Sequence, residues 1–191
     1  MIEMKKFKSL KVEIEKIISN SPLEEDLHHS KLTLEWLLKL KHDSDEPLQI
    51  AALTHDIDRA VTGITEAHHL KDLSKIHEFK REHAIRSAKI TIGLLKKYEY
   101  DTKTIEKVRH LVEKHEVGGD NETNILMDAD SLAYFDYNIY FYFKRNGMKK
   151  TKKKIEFMYK RMSVKAKKLA KNMKFRDKDV EELFKETVSG S

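Results

Sequence analysis

An imidazole and a carboxylate stand side by side where an apolar helix should end. In "AALTHDIDRA", His55 and Asp56 follow the run "AAL", and adjacent side chains can both turn to one ion where the backbone leaves helical geometry. Neutral imidazole is the commonest protein metal ligand, and divalent transition metals also accept carboxylates. The pair therefore predicts part of a metal site whose other ligands must come from elsewhere in the chain.

Three further histidines are candidates for such ligands. Because residues three and four apart share a helix face, His29, His83 and His115 fall among apolar side chains, whereas His28 falls on a charged, solvated stripe. A single inward histidine is more often a hydrogen-bonded core residue than a ligand. Four inward imidazoles, with His55 included, each need partners for two ring nitrogens, and one metal site would satisfy them together.

Two carboxylates interrupt the otherwise apolar helix "ILMDADSLAYFD". Asp130 shares a face with Leu126 and Tyr134, but Asp128 also has the apolar neighbours Leu132 and Phe135. Helical geometry therefore leaves both aspartates open as the distal ligand.

The composition indicates the kind of fold that must position these groups. With 37% charged residues, 6 Gly and 2 Pro among 191 residues, the sequence predicts an all-α protein, a single-domain helical bundle over 1–191. The absence of Cys excludes disulfides, thiolate metal sites and Cys nucleophiles. No run of about 18 apolar residues occurs and the N-terminus is a charged amphipathic pattern, so we expect a cytoplasmic protein with no membrane partner.

Apolar periodicity and helix-stop residues divide the chain into helices. Ser21, Pro22 and Glu24 form a capping-box pattern that opens the second helix, and "RNG" predicts a break before a basic helix. For 64–73 we expect a loop with a helical turn. The predicted helices span about 2–18, 21–42, a short segment carrying 48–55, 74–98, 101–116, 123–144, 149–173 and 177–188.

The order of these motifs resembles the HD-domain superfamily of metal-dependent phosphohydrolases, whose signature is H…HD…D on successive helices. The matching pieces are "HS" at 29–30, "HD" after "AAL", and "DADSL". The resemblance covers about 20–145 as an HD-like core of the HD-domain bundle type and leaves 149–188 as a basic helical C-terminal extension. It implies the metal ligands His29, His55, Asp56 and Asp130.

Two more segments, "REHAIRSA" and "VEKHE", resemble those that supply extra histidines in family members with two metals. They add His83 and His115 and imply two ions bridged by Asp56. In the alternative interpretation only the first four ligands bind metal, and these two histidines contact phosphate or line the pocket.

The resemblance implies hydrolysis of a phosphate ester, a nucleotide or another small phosphorylated metabolite, by a metal-activated water. The cofactor would be one or two divalent transition metal ions: Mn, Fe, Zn, Ni or Co. Besides Asp56, we expect Arg59 to hold phosphate and Glu116 to orient neighbouring groups or to handle protons. Lys80, Arg81 and Arg86 are further phosphate candidates near the ligands.

The sequence also departs from subtypes of this family. Asp58 stands where many relatives have Gly, and no GYP motif follows, which counts against a cyclic-dinucleotide phosphodiesterase. The acidic residues that usually follow the HD pair in deoxynucleotidases and alarmone hydrolases are missing too. The substrate and the oligomeric state are thus left open.

Two alternative functions follow from other features. Relatives with six ligands include di-iron oxygenases that cleave C–C or C–P bonds. A nucleic-acid role is suggested by 144–174, which carries +13 while the rest of the chain carries −7. However, apolar residues recur at helical spacing in this segment, so its lysines are more simply the solvated side of a packed helix.

Overall fold

Helices account for most of the residues that this computed structural model describes, 2–66 and 76–189, and these ranges contain no β-strand. The prediction of an all-α, single-domain bundle is confirmed. None of the described helices is both long and apolar enough to cross a membrane. The helices are α1 (Ile2–Ile18), α2 (Asp26–Leu40), α3 (Glu46–Thr54), α4 (Asp58–Thr62), α5 (Ile76–Lys97), α6 (Thr102–Lys114), α7 (Asn121–Ala133), a π-helical segment (Tyr134–Asn138), α8 (Ile139–Arg161), α9 (Val164–Lys171) and α10 (Lys178–Ser189).

One apolar core joins α1, α2, α3, α5, α6 and α7. Its fully buried side chains include Leu37, Leu48, Leu95, Leu111 and Leu126. Burying a leucine side chain stabilises the fold by about 1.5–3 kcal/mol. This core therefore fixes the helices that carry the candidate ligands.

A second apolar core packs the C-terminal helices against the end of α7. Phe135, Ile155, Met158 and Phe184 are buried in it. Trp36 of α2 borders both cores. The basic segment thus buries one helical face, as its periodicity predicted. The boundary between an HD-like core and an extension stays a prediction.

The predicted capping box at Ser21 is wrong, because α2 begins at Asp26. The Ser21 hydroxyl instead donates to the Asp26 carboxylate, and the Leu23 backbone N–H donates to Ser21 Oγ. Asp26 is buried and also binds Arg59, so the Ser21 hydroxyl takes part in a tertiary contact ahead of the helix and does not cap it.

The single basic helix predicted over 149–173 is also wrong. The predicted "RNG" break is present inside α8, because Gly147 leaves helical geometry with a φ of 72° and a ψ of 175°, a conformation that suits glycine. The helical stretch that follows ends at Arg161 and does not reach 173. The chain then breaks before Ser163, whose side chain accepts a hydrogen bond from the Ala166 N–H and caps α9.

The long helix expected from Ser74 is α5, which is described from Ile76. A loop was expected over 64–73, and its residues 67–73 lie outside the described residues, as does Ser74. Neither region carries a candidate ligand.

Candidate metal centre

The structure brings the six predicted ligands together from several helices and one turn. His29 lies on α2, His83 on α5 and Asp130 on α7. His55 and His115 are the C-cap residues of α3 and α6, and Asp56 follows in the turn before α4. These six residues, here called the ligand cluster, form two groups that could each hold a metal ion: His29 with His55 and Asp130, and Asp56 with His83 and His115.

Both groups are compact and mostly buried. Within each group the candidate ligand atoms lie within 4.8 Å of one another. The four histidines are at most 3% exposed. A metal ion could thus be held by side chains that the cores already position.

Asp56 lies between the two groups. Its Oδ1 is 2.6 Å from His83 Nε2 and 3.8 Å from His115 Nε2. Its Oδ2 is 3.5 Å from His55 Nε2 and 3.7 Å from His29 Nε2. Asp56 Oδ1 thus faces His83 and His115, and Oδ2 faces His55 and His29.

Backbone carbonyls fix two of the imidazole rings. His55 Nδ1 lies 3.0 Å from the Ala52 carbonyl oxygen, and His115 Nδ1 lies 2.7 Å from that of Val112. Since a carbonyl can only accept, each Nδ1 carries the hydrogen and each Nε2 turns a lone pair inward. His55 Nε2 lies 3.3 Å from His29 Nε2. Lone pairs and carboxylate oxygens converging in this way suit a bound cation, so the residues present fit a metal.

The choice between the two aspartates of α7 is clear in the structure. Asp130 Oδ1 lies 3.1 Å from His29 Nε2, inside the ligand cluster. Asp128 instead accepts hydrogen bonds from the backbone N–H and the hydroxyl of Ser163. Asp128 therefore anchors the start of α9.

Asp58, which sequence reasoning left unexplained, supports His83. Its carboxylate is fully buried and pairs with His83 Nδ1, while Arg86 Nε donates to it over 2.9 Å. A carboxylate at Nδ1 directs the ring's Nε2 toward the centre and increases its basicity.

The electrostatics differ between the two histidines of one group. Burial lowers the pKa of His83, but the Asp56 and Asp58 carboxylates outweigh it and raise the pKa to about 9. Burial lowers the pKa of His115 to about 4. His83 therefore lies where positive charge is favoured, and His115 is neutral near pH 7.

Arg59 lies at the centre, but its guanidinium already binds carboxylates. Its Nε and Nη2 donate to Asp26 over 3.1 and 3.0 Å, and Nη2 also contacts Asp56. Arg81 is exposed, and Arg86 is held by Asp58. The phosphate-binding role of these arginines stays a prediction.

A cavity of about 130 Å³ opens beside the ligand cluster. Part of its lining comes from the π-helical segment and α8, here called the tail wall. The residues of the tail wall are Tyr134, Asn138, Tyr142, Arg145, Asn146, Lys154, Met158 and Arg161.

Glu116 links the ligand cluster to the tail wall. Its Oε2 accepts hydrogen bonds from Lys80 Nζ and Arg161 Nη1, both over 2.9 Å. Burial raises its pKa, but the two cations outweigh it and hold the pKa well below the ordinary range. Burial lowers the pKa of Lys80 to about 8.

Arg161 and Lys154 are site residues that sequence reasoning missed. Arg161 Nη2 pairs with Asp130, and its Nε donates to Ser131 Oγ over 3.0 Å. Lys154 Nζ pairs with Glu66 over 2.8 Å. The sequence could have indicated that Arg161 is buried, because it stands between the apolar residues Met158 and Met162, which are both buried.

Comparison with known proteins gives one family. The family model described as a domain of unknown function (DUF4202) matches residues 9–183. No curated protein and no solved structure matches the chain. The matched range includes the ligand cluster and continues through the tail wall.

Proposed function

Since the chain belongs to the DUF4202 family, we propose its function from the site itself: a metal-dependent phosphohydrolase of the HD type. The observation that carries this proposal is Asp56, which presents one oxygen to each of two His-containing groups. The H…HD…H…H…D order of the six residues supports the same assignment.

The donor set favours a divalent transition metal, and the position of Asp56 favours two ions over one. Such ions, of Mn, Fe, Zn, Ni or Co, would lower the pKa of a coordinated water and polarise a phosphoryl oxygen. The chain's own contribution is to hold the ligands rigidly, through the Ala52 and Val112 carbonyls and the Asp58 carboxylate.

Cations on the cavity complement a phosphate group. Lys80, Lys154 and Arg161 line it beside the ligand cluster. Ammonium and guanidinium groups form charge-assisted hydrogen bonds with phosphate oxygens. Because Glu116 has a strongly lowered pKa, it is a weak proton acceptor. We therefore assign Glu116 to orienting Lys80 and Arg161, so that these cations face the substrate.

Metal analysis of protein purified without chelator, followed by a panel of phosphate esters, tests this function. We expect one to two metal ions per chain, hydrolysis that is lost after metal removal, and loss of both in His55→Ala. The matched control is His110→Ala, because His110 is exposed and pairs with Asp120 away from the centre.

Two results would overturn the proposal. One is metal content that His55→Ala leaves unchanged. The other is a metal-loaded protein that hydrolyses no ester; if its iron-loaded form consumed oxygen, the oxygenase alternative would replace the hydrolase.

A further inference from the structure

Polar side chains recur at four-residue intervals along the tail wall. Tyr134, Asn138, Tyr142 and Asn146 all line the cavity beside the ligand cluster. The first two bound the π-helical segment, which begins four residues after Asp130. π-Helical turns are rare and occur frequently at functional sites. This segment thus joins a candidate ligand directly to a polar cavity surface.

Two polar atoms of this surface have no partner. Tyr134 Oη and Asn138 Oδ1 are buried without a hydrogen bond to any described part of the chain. Tyr134 is only 5% exposed. Most buried polar side-chain atoms in proteins are hydrogen-bonded, and an unpaired one is destabilising.

Neighbouring polar groups of the cavity do have partners. Arg145 pairs with Glu25, Lys154 pairs with Glu66, and Asn146 Nδ2 donates to the Tyr142 carbonyl over 3.1 Å. Tyr134 and Asn138 therefore differ from the charged residues around them. Both residues line the cavity that a substrate would enter.

The two atoms have complementary hydrogen-bonding roles. Burial raises the pKa of Tyr134 well above its ordinary value, so its hydroxyl keeps the proton and donates. Asn138 Oδ1 can only accept. A fully ionised phosphate has no hydrogen to donate to that oxygen, whereas an alcohol group can accept from Tyr134 and donate to Asn138.

We propose that Tyr134 and Asn138 form a specificity subsite for a hydroxyl group on the organic part of the substrate. This inference rests on the proposed phosphohydrolase function. It names the substrate class as a phosphate monoester of a polyol or sugar, including the sugar of a nucleotide. The small cavity, about 130 Å³, suits such a compact group beside the phosphate.

The test compares two esters that share a phosphate and a three-carbon chain: glycerol 1-phosphate and propyl phosphate. For the metal-loaded wild type we expect kcat/KM at least about 10-fold higher with glycerol 1-phosphate. In Tyr134→Phe this preference should narrow by about 10-fold, mainly through KM, with propyl phosphate unaffected. Ribose 5-phosphate and a nucleoside monophosphate distinguish a free sugar from a nucleotide.

The matched control is Tyr140→Phe. The Tyr140 hydroxyl accepts a hydrogen bond from the Arg176 backbone N–H and does not line the cavity. This variant should keep the wild-type preference. Equal losses with both esters in Tyr134→Phe, or no preference in the wild type, would overturn the subsite.

Thermal unfolding separates failure of the subsite from failure of the hydrolase. If the wild type cleaves neither ester, the proposed function fails, but the subsite still predicts that glycerol 1-phosphate raises Tm more than propyl phosphate. Tyr134→Phe should abolish that difference and keep the shift given by inorganic phosphate. Without ligand, its Tm should equal or exceed that of the wild type, because no hydrogen bond is lost; a clear decrease would overturn the inference.

Discussion

The ligand cluster and the tail wall border one cavity, but different groups hold their polar side chains. In the ligand cluster, backbone carbonyls and Asp58 orient the imidazoles from behind. In the tail wall, Arg161, Lys154 and Arg145 are held by carboxylates from the segments between other helices. The ligand cluster therefore lies on helices of the first core, whereas the charged side chains of the tail wall, which packs on the second core, are oriented by ion pairs that can be removed singly.

The largest expected effect is on the ligand cluster. Asp56→Ala removes the carboxylate that faces both groups, so we expect metal affinity to fall by more than the roughly 10–100-fold typical of outer partners. Metal content after dialysis measures this loss. Asp43→Ala is the control, because that side chain is 84% exposed. Retention of both ions in Asp56→Ala would contradict its position between the groups.

Arg161→Ala tests whether the tail wall stabilises the ligand cluster. The substitution removes one buried partner from each of Asp130 and Glu116, which keep His29 and Lys80 respectively. The free energy of unfolding should therefore fall by about 3 kcal/mol, the lower end of the range for a broken buried pair. Urea denaturation of the metal-free protein measures it. Arg109→Ala removes a surface network and should cost at most about 1 kcal/mol. Similar losses in the two variants would mean that the ion pairs of Arg161 stabilise the fold no more than a surface ion pair does.

Asp58→Asn should have a smaller effect, confined to one group. The variant keeps the shape of the side chain but weakens its interaction with His83, so metal affinity should fall about 10–100-fold. Calorimetric titration with the metal found in the native protein measures the change. Asp179→Asn, on the exposed face of α10, should titrate like the wild type. An unchanged affinity in Asp58→Asn would remove Asp58 from the site.

The smallest expected effect is on the attachment of α9. Ser163→Ala removes the N-cap and one hydrogen bond to Asp128, which should lower the free energy of unfolding by about 1 kcal/mol. Metal content should not change, because Asp128 lies outside both groups. Ser189→Ala, at an exposed helix end, is the control for urea denaturation. A loss of metal in Ser163→Ala would mean that the attachment of α9 and the ligand cluster are not independent.

The residues of the ligand cluster were easier to predict from the sequence than those of the tail wall. His29, His55, His83 and His115 were visible because each interrupts an apolar helix face, where an unpaired ring would be destabilising. Asp130 was visible only as one of two aspartates, since Asp128 has equally apolar neighbours. The family resemblance favoured Asp130, but the residue pattern alone could not exclude Asp128 without the position of Ser163.

Apart from Arg161, the residues of the tail wall carried no comparable signal. Lys154 lies in a run of lysines, and Tyr134 lies in a run of aromatic residues, so neither stands out from its neighbours. The π-helical segment shifts the register of the side chains after Asp130, and no local pattern in this sequence predicts it. The capping box at Ser21 was predicted wrongly for a similar reason. Its partner Asp26 is held by Arg59, which is distant in sequence and could not be inferred from the local pattern.

Arg59 and Arg161 have a consequence for the order in which this protein assembles. Each places a permanent positive charge against a carboxylate of the ligand cluster, Asp56 or Asp130. Zinc fingers are unfolded without their ion because metal binding supplies much of their folding free energy. Here the chain supplies its own counter-ions, so it can fold first and load metal afterwards, and a chelator should empty the centre without unfolding the bundle.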